Sequence, residues 1–360
     1  MINKIFGFDI AKAGAGRAVT TEYTKYSPHD YDRDIDLPIN LYDSPGYEAG
    51  KEEDFVKKTI DFLKDKSRQG EKEQVHLIWY LISASSARLT QADIDIIEAI
   101  NNNYIPAIIV LSKCDIAQPS QKEQLKKVIE EELQKLIKEN LCKKIYKIAE
   151  VAAQPLISPN GMQICEPFGI KELVNLTTEV LSNSERSDAF IFAQVVDIES
   201  KRELAWKYIS EASYTSFGVG AVPLPLTAPI GIIGALSYMY SRIMLLYGQN
   251  SSILRAISEI TLGGMYSFLS DAVLDLIPGT SILTGASAFS FTLASGMSLA
   301  KACEELAIEK LPGLEPEVKE ELKRRFREKF WNYLKNVKID PRKTIKIIID
   351  EVGRDFLNKK

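Results

Sequence analysis

The chain has 360 residues, of which 45% are hydrophobic and 26% are charged, a balance typical of globular rather than disordered proteins. Its net charge of −4 at pH 7 argues against non-specific nucleic-acid binding, so we expect no nucleic-acid partner. The sequence has four scattered cysteines and only two histidines, which indicate neither a disulfide framework nor a zinc site. No secretory signal pattern opens the sequence, and we therefore expect a cytoplasmic protein.

The first half of the chain alternates between apolar runs of strand length and amphipathic patterns of helix length. The strand-like runs are 37–44, 75–83, 105–113 and 143–153, and the helical patterns between them are 52–66, 90–100 and 120–140. Nearly continuous apolar runs are typical of parallel strands that are buried on both faces. The alternation predicts an α/β domain with an open, mostly parallel sheet over residues 1–183.

The composition changes in the second half, which we predict to be a helical, apolar domain over 184–310 and a charged helical tail over 311–360. Residues 212–241 and 276–300 contain no charged side chain. They are compatible with a soluble helical bundle and also with a hairpin that enters or lies on a bilayer. Residues 265–279 have the pattern of an amphipathic helix that ends at a Pro-Gly pair.

The tail contains a basic, aromatic segment at 321–334, with Phe326, Phe330, Trp331 and Leu334 along one edge. Such a helix can lie on anionic lipid, although a charged surface helix is the commoner outcome. A membrane surface or lipid is therefore a possible partner, and peripheral or integral membrane attachment remains open.

Two polar stretches in the first half have the chemistry of a phosphate and magnesium site. The sequence LYDSPG (41–46) places Asp43 at a strand end, where its carboxylate would reach Mg²⁺, usually through water. Gly46 would offer its backbone N–H to a terminal phosphate, because it has no side chain to prevent close approach. Upstream, Thr20 or Thr21 would supply a hydroxyl and a carbonyl to the metal and the γ-phosphate.

A third stretch, LSKCD (111–115), also follows a buried strand. Asp115 would accept two hydrogen bonds from the N1–H and amino groups of guanine, with Lys113 along the plane of the base. An isolated aspartate at a strand end is more often a turn or helix cap. Two such motifs at the carboxyl ends of parallel strands favour a nucleotide site, since ligands collect at that edge.

These stretches, together with INKIFGFDIAKAGAGRAVTTEYTKY and HLIWYLISASSARLTQADIDII, resemble the Era-like branch of the translation-factor-related GTPases. The resemblance is strongest to the stand-alone GTPases that have a helical C-terminal domain of unknown function. It implies GTP or GDP and Mg²⁺ as ligands, with Thr20 and Asp43 at the metal, and leaves a homodimer through the G domain possible. The implied nucleotide-binding residues are Thr20, Thr21, Asp43, Gly46, Ser112, Lys113, Asp115, Ala152 and Ala153. Ser112 replaces the family's Asn or Thr, and Ala152-Ala153 replaces its Ser-Ala.

The family places a phosphate-binding loop, G-x-x-x-x-G-K-S/T, before a helix that reads SLINxxFG, whereas this sequence begins at INKIFG. The expected fold is thus a truncated P-loop GTPase domain whose sheet lacks its first, central strand, followed by a helical domain. Without the loop's Lys and Ser/Thr, GTP binding would be impaired and hydrolysis absent. We expect either a misplaced start site or gene fragment, or a degenerate relative that acts as a pseudo-GTPase interaction module. Tyr47 stands where Ras-like proteins have the glutamine that positions water, which predicts slow hydrolysis; an equally good interpretation is that Tyr47 is a packed switch residue.

Overall fold

The computed structural model describes residues 1–7, 11, 22–26, 39–46, 50–71, 73–140, 147–182, 184–220, 227–249, 257, 281–309, 316–337 and 343–358. These residues form two compact units that divide after Asp197. Thr20, Thr21, Tyr47 and the amphipathic helix predicted at 265–279 lie outside the described residues.

The first unit is built of short strands and helices that alternate along the chain. In chain order they are α1 (Ile2–Phe6), β1 (Thr24–Tyr26), β2 (Leu41–Asp43), α2 (Glu52–Ser67), β3 (Ile78–Ser83), α3 (Gln91–Asn102), β4 (Ala107–Ser112), α4 (Pro119–Asn140), β5 (Lys147–Glu150), β6 (Leu156–Ile157), β7 (Gln163–Cys165), α5 (Ile170–Leu181) and α6 (Ser184–Ala193). The α/β class is confirmed. The predicted helices at 52–66, 90–100 and 120–140 are present within two residues of their predicted limits.

A parallel sheet of order β3-β4-β5 forms the centre of this unit. The first five residues of β4 are completely buried, because helices cover both faces of the sheet. On one face, Ile109 and Leu111 pack with Ile129 of α4. On the other face, the Trp79 indole N–H of β3 donates to Thr177 Oγ1 of α5 at 2.9 Å. The prediction of doubly buried parallel strands is therefore correct for β4.

Strands β1 and β2 form a separate antiparallel pair. This pair packs on α2, where the rings of Tyr23 and Phe62 stack at 3.9 Å and the Tyr23 hydroxyl donates to Thr59 at 3.0 Å. Within the described residues, no strand pairs with the edge of β3 that faces away from β4. The sheet is thus smaller than a complete open sheet and is divided between β2 and β3.

Helix α1 lies on the same face as Trp79. The ring of Phe6 stacks on that indole with centroids 6.5 Å apart, and both rings meet Phe190 of α6 edge to face. The helix ends at Gly7, which has φ 81°. The backbone N–H of Val195, near the end of this unit, also donates to Ile5 O at 2.8 Å. Helix α1 at the start of the unit is therefore held against residues at its end.

The second unit, from Ile198 onward, consists of helices in its described residues. Its described helices are α7 (Ile198–Gly220), α8 (Thr227–Leu246), α9 (Ser281–Ile308), α10 (Pro316–Asn336) and α11 (Ile345–Asn358). Helix α9 lies at the centre and packs against α7, α8 and α10. Its Gly296 permits close packing, since an added Cβ would lie 2.7 Å from Met239 Sδ and 2.8 Å from Ile209.

The hydroxyl-rich segment around 276–300 is thus a buried bundle helix where it is described. Thr292 Oγ1 donates to Ser216 Oγ at 2.9 Å, and Ser298 Oγ donates to the Ala294 carbonyl at 2.6 Å. These bonds satisfy hydroxyls that are almost fully buried and would otherwise carry a desolvation cost. No helix among the described ranges is long and apolar enough to span a bilayer.

Candidate functional site

The candidate site lies at the carboxyl ends of β4 and β5, where two loops meet. Because the strands are parallel neighbours, the loop at Lys113–Asp115 and the loop at Val151–Ala153 leave the same edge of the sheet. The Cys114 N–H donates to Val151 O at 3.3 Å, and the Val151 N–H donates to Leu111 O at 2.8 Å. The predicted residues of these two motifs are therefore brought together.

The first loop turns sharply at Lys113, which has φ 57°. Few residues with a side chain adopt this left-handed conformation, and those that do are concentrated at functional sites. The turn leaves Lys113 exposed and directs Cys114 inward, where its thiol donates to Leu111 O at 3.1 Å. Burial raises the pKa of the Cys114 thiol, so this cysteine is a packed residue and not a reactive thiolate.

Asp115 follows the buried cysteine and is half-buried. No hydrogen bond or ion pair to its carboxylate is formed by the described part of the chain, so both oxygens remain acceptors. By contrast, the Ser112 hydroxyl is already engaged, because it donates to the Ile82 carbonyl of β3 at 3.3 Å. The serine therefore links the two strands beneath the loop.

Two ion pairs connect the end of β5 to α4 next to this loop. Glu150, at the end of β5, binds Lys122 and Lys126 of α4. The hydrogen bond from Lys122 holds the pKa of Glu150 below its ordinary value. The glutamate is therefore an anion that joins the end of β5 to α4.

The second loop is held by two reciprocal backbone hydrogen bonds between Ala152 and Phe168, which form an isolated β-bridge. The Ala152 N–H donates to Phe168 O, and the Phe168 N–H donates to Ala152 O, both at 3.0 Å. Ala152 thus has no amide to offer a ligand, whereas no bond from the Ala153 amide is formed within the described residues. Of the two alanines that the family resemblance implies, Ala153 is the one with an available donor.

Gly169 fixes this bridge to the sheet. It has φ 77°, and a Cβ at this position would lie 1.8 Å from the Glu150 carbonyl oxygen. Only glycine fits such a contact, which sequence inspection had not identified as part of the site. The Pro-Phe-Gly sequence before a helical pattern is the signal that would have found it.

The other predicted residues lie on the β1–β2 pair. Asp43 is the last residue of β2 and is half-buried, while Gly46 is exposed three residues later. Burial lowers the pKa of the Met1 amino group, and the Asp43 carboxylate partly offsets this. Asp43 therefore lies within electrostatic range of the first turn of α1. No described contact joins Asp43 to Asp115.

A metal site is not complete in the described ranges. They contain no group of three or more His, Cys, Asp or Glu side chains with metal-binding geometry, and Thr20 and Thr21 are outside them. Asp43 is thus the one predicted magnesium ligand whose position is described.

Comparison of the chain with protein-family models, with curated proteins and with solved structures finds no match.

Proposed function

We propose that the protein binds a guanine nucleotide through the two joined loops and acts as an Era-like GTPase switch coupled to its helical unit. The observation that carries the proposal is the meeting of Lys113, Asp115 and Ala153 at adjacent parallel strand ends, with the Asp115 carboxylate unengaged. This is the edge of an open sheet at which ligands collect.

The loops match the hydrogen-bonding groups of guanine. Asp115 accepts from N1–H and the exocyclic amine, the Ala153 amide donates to O6, and the stem of Lys113 covers one face of the base. Adenine has no N1–H and no amine at C2, so it would leave a half-buried carboxylate without donors. Polar pockets reject such ligands by large factors.

The phosphate half of the proposed site would be built around β2 and the start of α1. Asp43 would hold Mg²⁺ through water, Gly46 N–H would meet the terminal phosphate, and Thr20 or Thr21 would complete the metal shell. In a complete P-loop GTPase fold, a central strand and its phosphate loop would lie between β2 and β3. The 360 residues contain no G-x-x-x-x-G-K-S/T sequence, and we infer weak phosphate binding and little hydrolysis from this chain.

Recognition of the guanine base can be tested separately from phosphate binding with nucleoside monophosphates, which depend little on a phosphate site. Saturation-transfer NMR of the full chain is expected to show GMP binding in preference to AMP. Asp115→Ala is expected to abolish the signal, because it removes both acceptors, while Asp61→Ala on the exposed surface of α2 serves as the matched control. Equal signals from GMP and AMP, or an unaltered signal from the Asp115 variant, would refute guanine recognition.

A second candidate is a pseudo-GTPase that acts as a non-enzymatic interaction module. Such a protein would keep the scaffold and bind no nucleotide. The two candidates also separate at the level of the gene, since an in-frame G-x-x-x-x-G-K-S/T upstream of the Met1 codon supports the switch. A chain carrying that loop should bind GTP in a magnesium-dependent manner.

A further inference from the structure

Helices α7 and α8 are antiparallel neighbours whose uncharged parts lie together. A Cβ on Gly231 would lie 2.7 Å from Val219 Cγ1, so the start of α8 packs on the end of α7. At the opposite ends of the two helices, Lys201 of α7 donates to the Leu246 carbonyl of α8. Residues 212–241, which include the end of α7 and the start of α8, contain no charged side chain. Both helices are therefore uncharged at the same end of the bundle.

Helix α9 has the same polarity. It is antiparallel to α7, because Thr292 donates to Ser216 at the uncharged end whereas Arg202 donates to Glu304 at the other. The first charged residue of α9 is Lys301. In these three helices, charged side chains are thus confined to one end.

The outward side of α7 changes in character along the helix. Its exposed positions begin as a charged series and end uncharged, in the order Glu199, Glu203, Lys207, Glu211, Tyr214, Thr215 and Gly218. A surface helix of a globular protein normally has charged or polar residues on its outward side. The first part of α7 follows this rule, but no charged residue continues the series beyond Glu211.

The outward side of α8 is uncharged at the same end. With 3.6 residues per turn, Ile233, Gly234, Ser237, Tyr238 and Ser241 share one side of this helix. None of them is buried, and the exposed fractions of Ile233 and Tyr238 are 38% and 53%. This side of α8 is therefore a continuous, solvent-facing surface without charge.

The change from charged to uncharged surface occurs at one level on both helices. Arg242, the first charged residue after the uncharged part of α8, lies over the Tyr208 ring of α7 at 5.5 Å and the Tyr238 ring at 5.8 Å. Glu211, the last charged residue of α7, is about one helical turn beyond Tyr208. Tyr238 and the 42% exposed Tyr214 thus lie next to the last charges. Tyrosine is enriched at membrane–water interfaces, where its ring contacts apolar groups and its hydroxyl contacts water.

This arrangement favours lipid over a protein partner. A bilayer surface is flat and requires the polarity to change at the same level on each helix that enters it, whereas a protein partner imposes no such condition. The part of α8 from Thr227 to Tyr238 is about 16 Å long at about 1.5 Å per residue. A bilayer core is about 30 Å thick, so this end of the bundle matches the depth of one leaflet.

We propose that residues 212–220 of α7 and 227–241 of α8 insert into one leaflet of a lipid bilayer, with Tyr214 and Tyr238 at the level of the headgroups. The inference does not depend on the proposed nucleotide site. An Asp115→Ala variant that has lost guanine recognition is expected to bind vesicles as the natural chain does, so failure of one proposal leaves the other intact.

Co-flotation of the full chain with phosphatidylcholine vesicles tests the proposal. We expect binding that is equal at about 0.15 M and about 0.5 M sodium chloride, because salt screens charge interactions and not an apolar contact. Ile233→Lys is expected to weaken binding at least about tenfold, since it carries a charge into the acyl region. Ile308→Lys is the matched control, because Ile308 is 59% exposed at the charged end of α9, and this variant should float as the natural chain does.

Quenching by brominated phosphatidylcholine provides the second measurement. Ile233→Trp should add a quenched fluorescence component to that of the natural tryptophans, and Ile308→Trp should add an unquenched one. Far-UV circular dichroism checks that all four variants fold.

Four outcomes would overturn the proposal. They are no flotation with phosphatidylcholine, flotation that requires phosphatidylserine and is lost at high salt, equal effects of the Ile233 and Ile308 variants, and lipid-independent self-association that Ile233→Lys abolishes. The last outcome would assign this surface to a protein contact.

Discussion

Lys201 of α7 is a buried lysine inside the helical unit. It is only 3% exposed, and its ammonium group donates to the Leu246 carbonyl at the end of α8. A cation at this end of a helix interacts favourably with the helix dipole, but burial removes its hydration. Burial lowers the pKa of Lys201 from its ordinary value of 10.5 to about 7. The residue therefore gives the helical unit a dependence on pH.

The direction of that dependence follows from proton binding. Between about pH 7 and pH 10.5 the unfolded chain keeps Lys201 protonated while the folded chain releases the proton. Because the unfolded state binds more protons, this group makes stability rise with pH across that window, by a few kcal/mol at most. Urea unfolding from pH 7 to 10 should show a smaller rise for Lys201→Met than for the natural chain. Lys207→Met, on the exposed side of the same helix, should retain the full rise, and a similar loss in both variants would contradict the assignment.

At the residue scale, sequence motifs predicted Asp115 and Lys113 because carboxylate and lysine at this spacing have a recognisable chemistry. The left-handed backbone of Lys113 and the engaged amide of Ala152 were not predictable. Both depend on contacts with Val151 and Phe168, which come together only when β4 and β5 pair.

At the element scale, the junction between Glu150 and Gly169 decides how α5 begins. Gly169→Ala would place a Cβ 1.8 Å from the Glu150 carbonyl oxygen, so the backbone must move and the Ala152–Phe168 bridge must loosen. We expect a loss of about 3 kcal/mol or more in unfolding free energy, from strain together with broken hydrogen bonds. Urea unfolding followed by circular dichroism measures this loss.

Gly161 provides the matched control for that substitution. It has a similar φ of 83°, but no atom lies within 4 Å of an added Cβ. Gly161→Ala should therefore cost only the left-handed strain of about 1–2 kcal/mol. Equal losses for the two variants would show that backbone conformation alone, and not the close contact, determines the effect at Gly169.

Helices were easier to predict than strands for a physical reason. Helix α3 has a strong period and begins at Thr90, whose hydroxyl accepts from the Asp93 N–H at 3.2 Å while Asp93 accepts from the Thr90 N–H at 2.8 Å. Such capping is local and is visible in the sequence. Strands β6 and β7 have only two and three residues, too few for any period to appear, and this hairpin was not predicted.

At the scale of the whole molecule, the first unit has a core between strands and helices, and the second has a core between helices. The sequence predicted both classes, because an apolar run and a helical stripe each require a partner surface. The family resemblance implied a sheet without its central strand, but the sequence did not predict that β1 and β2 form a separate antiparallel pair. That feature depends on which strands pair over long distances, and no local pattern encodes such pairing.

The role of the second unit depends on how α10 uses its aromatic edge. Phe330 is 1% exposed and meets Phe291 of α9 edge to face at 5.3 Å, whereas its neighbour Trp331 is 47% exposed. The apolar side that a membrane-surface helix would need is thus largely occupied by the bundle. An exposed stripe of Arg327, Trp331 and Lys335, spaced four residues apart, remains available to an anionic lipid surface.

Substitution of the two neighbouring aromatic residues separates these roles. Phe330→Ala should cost about 3–5 kcal/mol of unfolding free energy, because it empties a buried site, and thermal circular dichroism should show a lower melting temperature. Trp331→Ala should change stability by less than about 0.5 kcal/mol and should instead reduce co-flotation with phosphatidylserine vesicles at low salt. Flotation that is absent in the natural chain, or unchanged by Trp331→Ala, would exclude this stripe as a lipid contact. The bundle would then be the sole role of α10, since Phe330 contributes to the core whether or not a membrane is present.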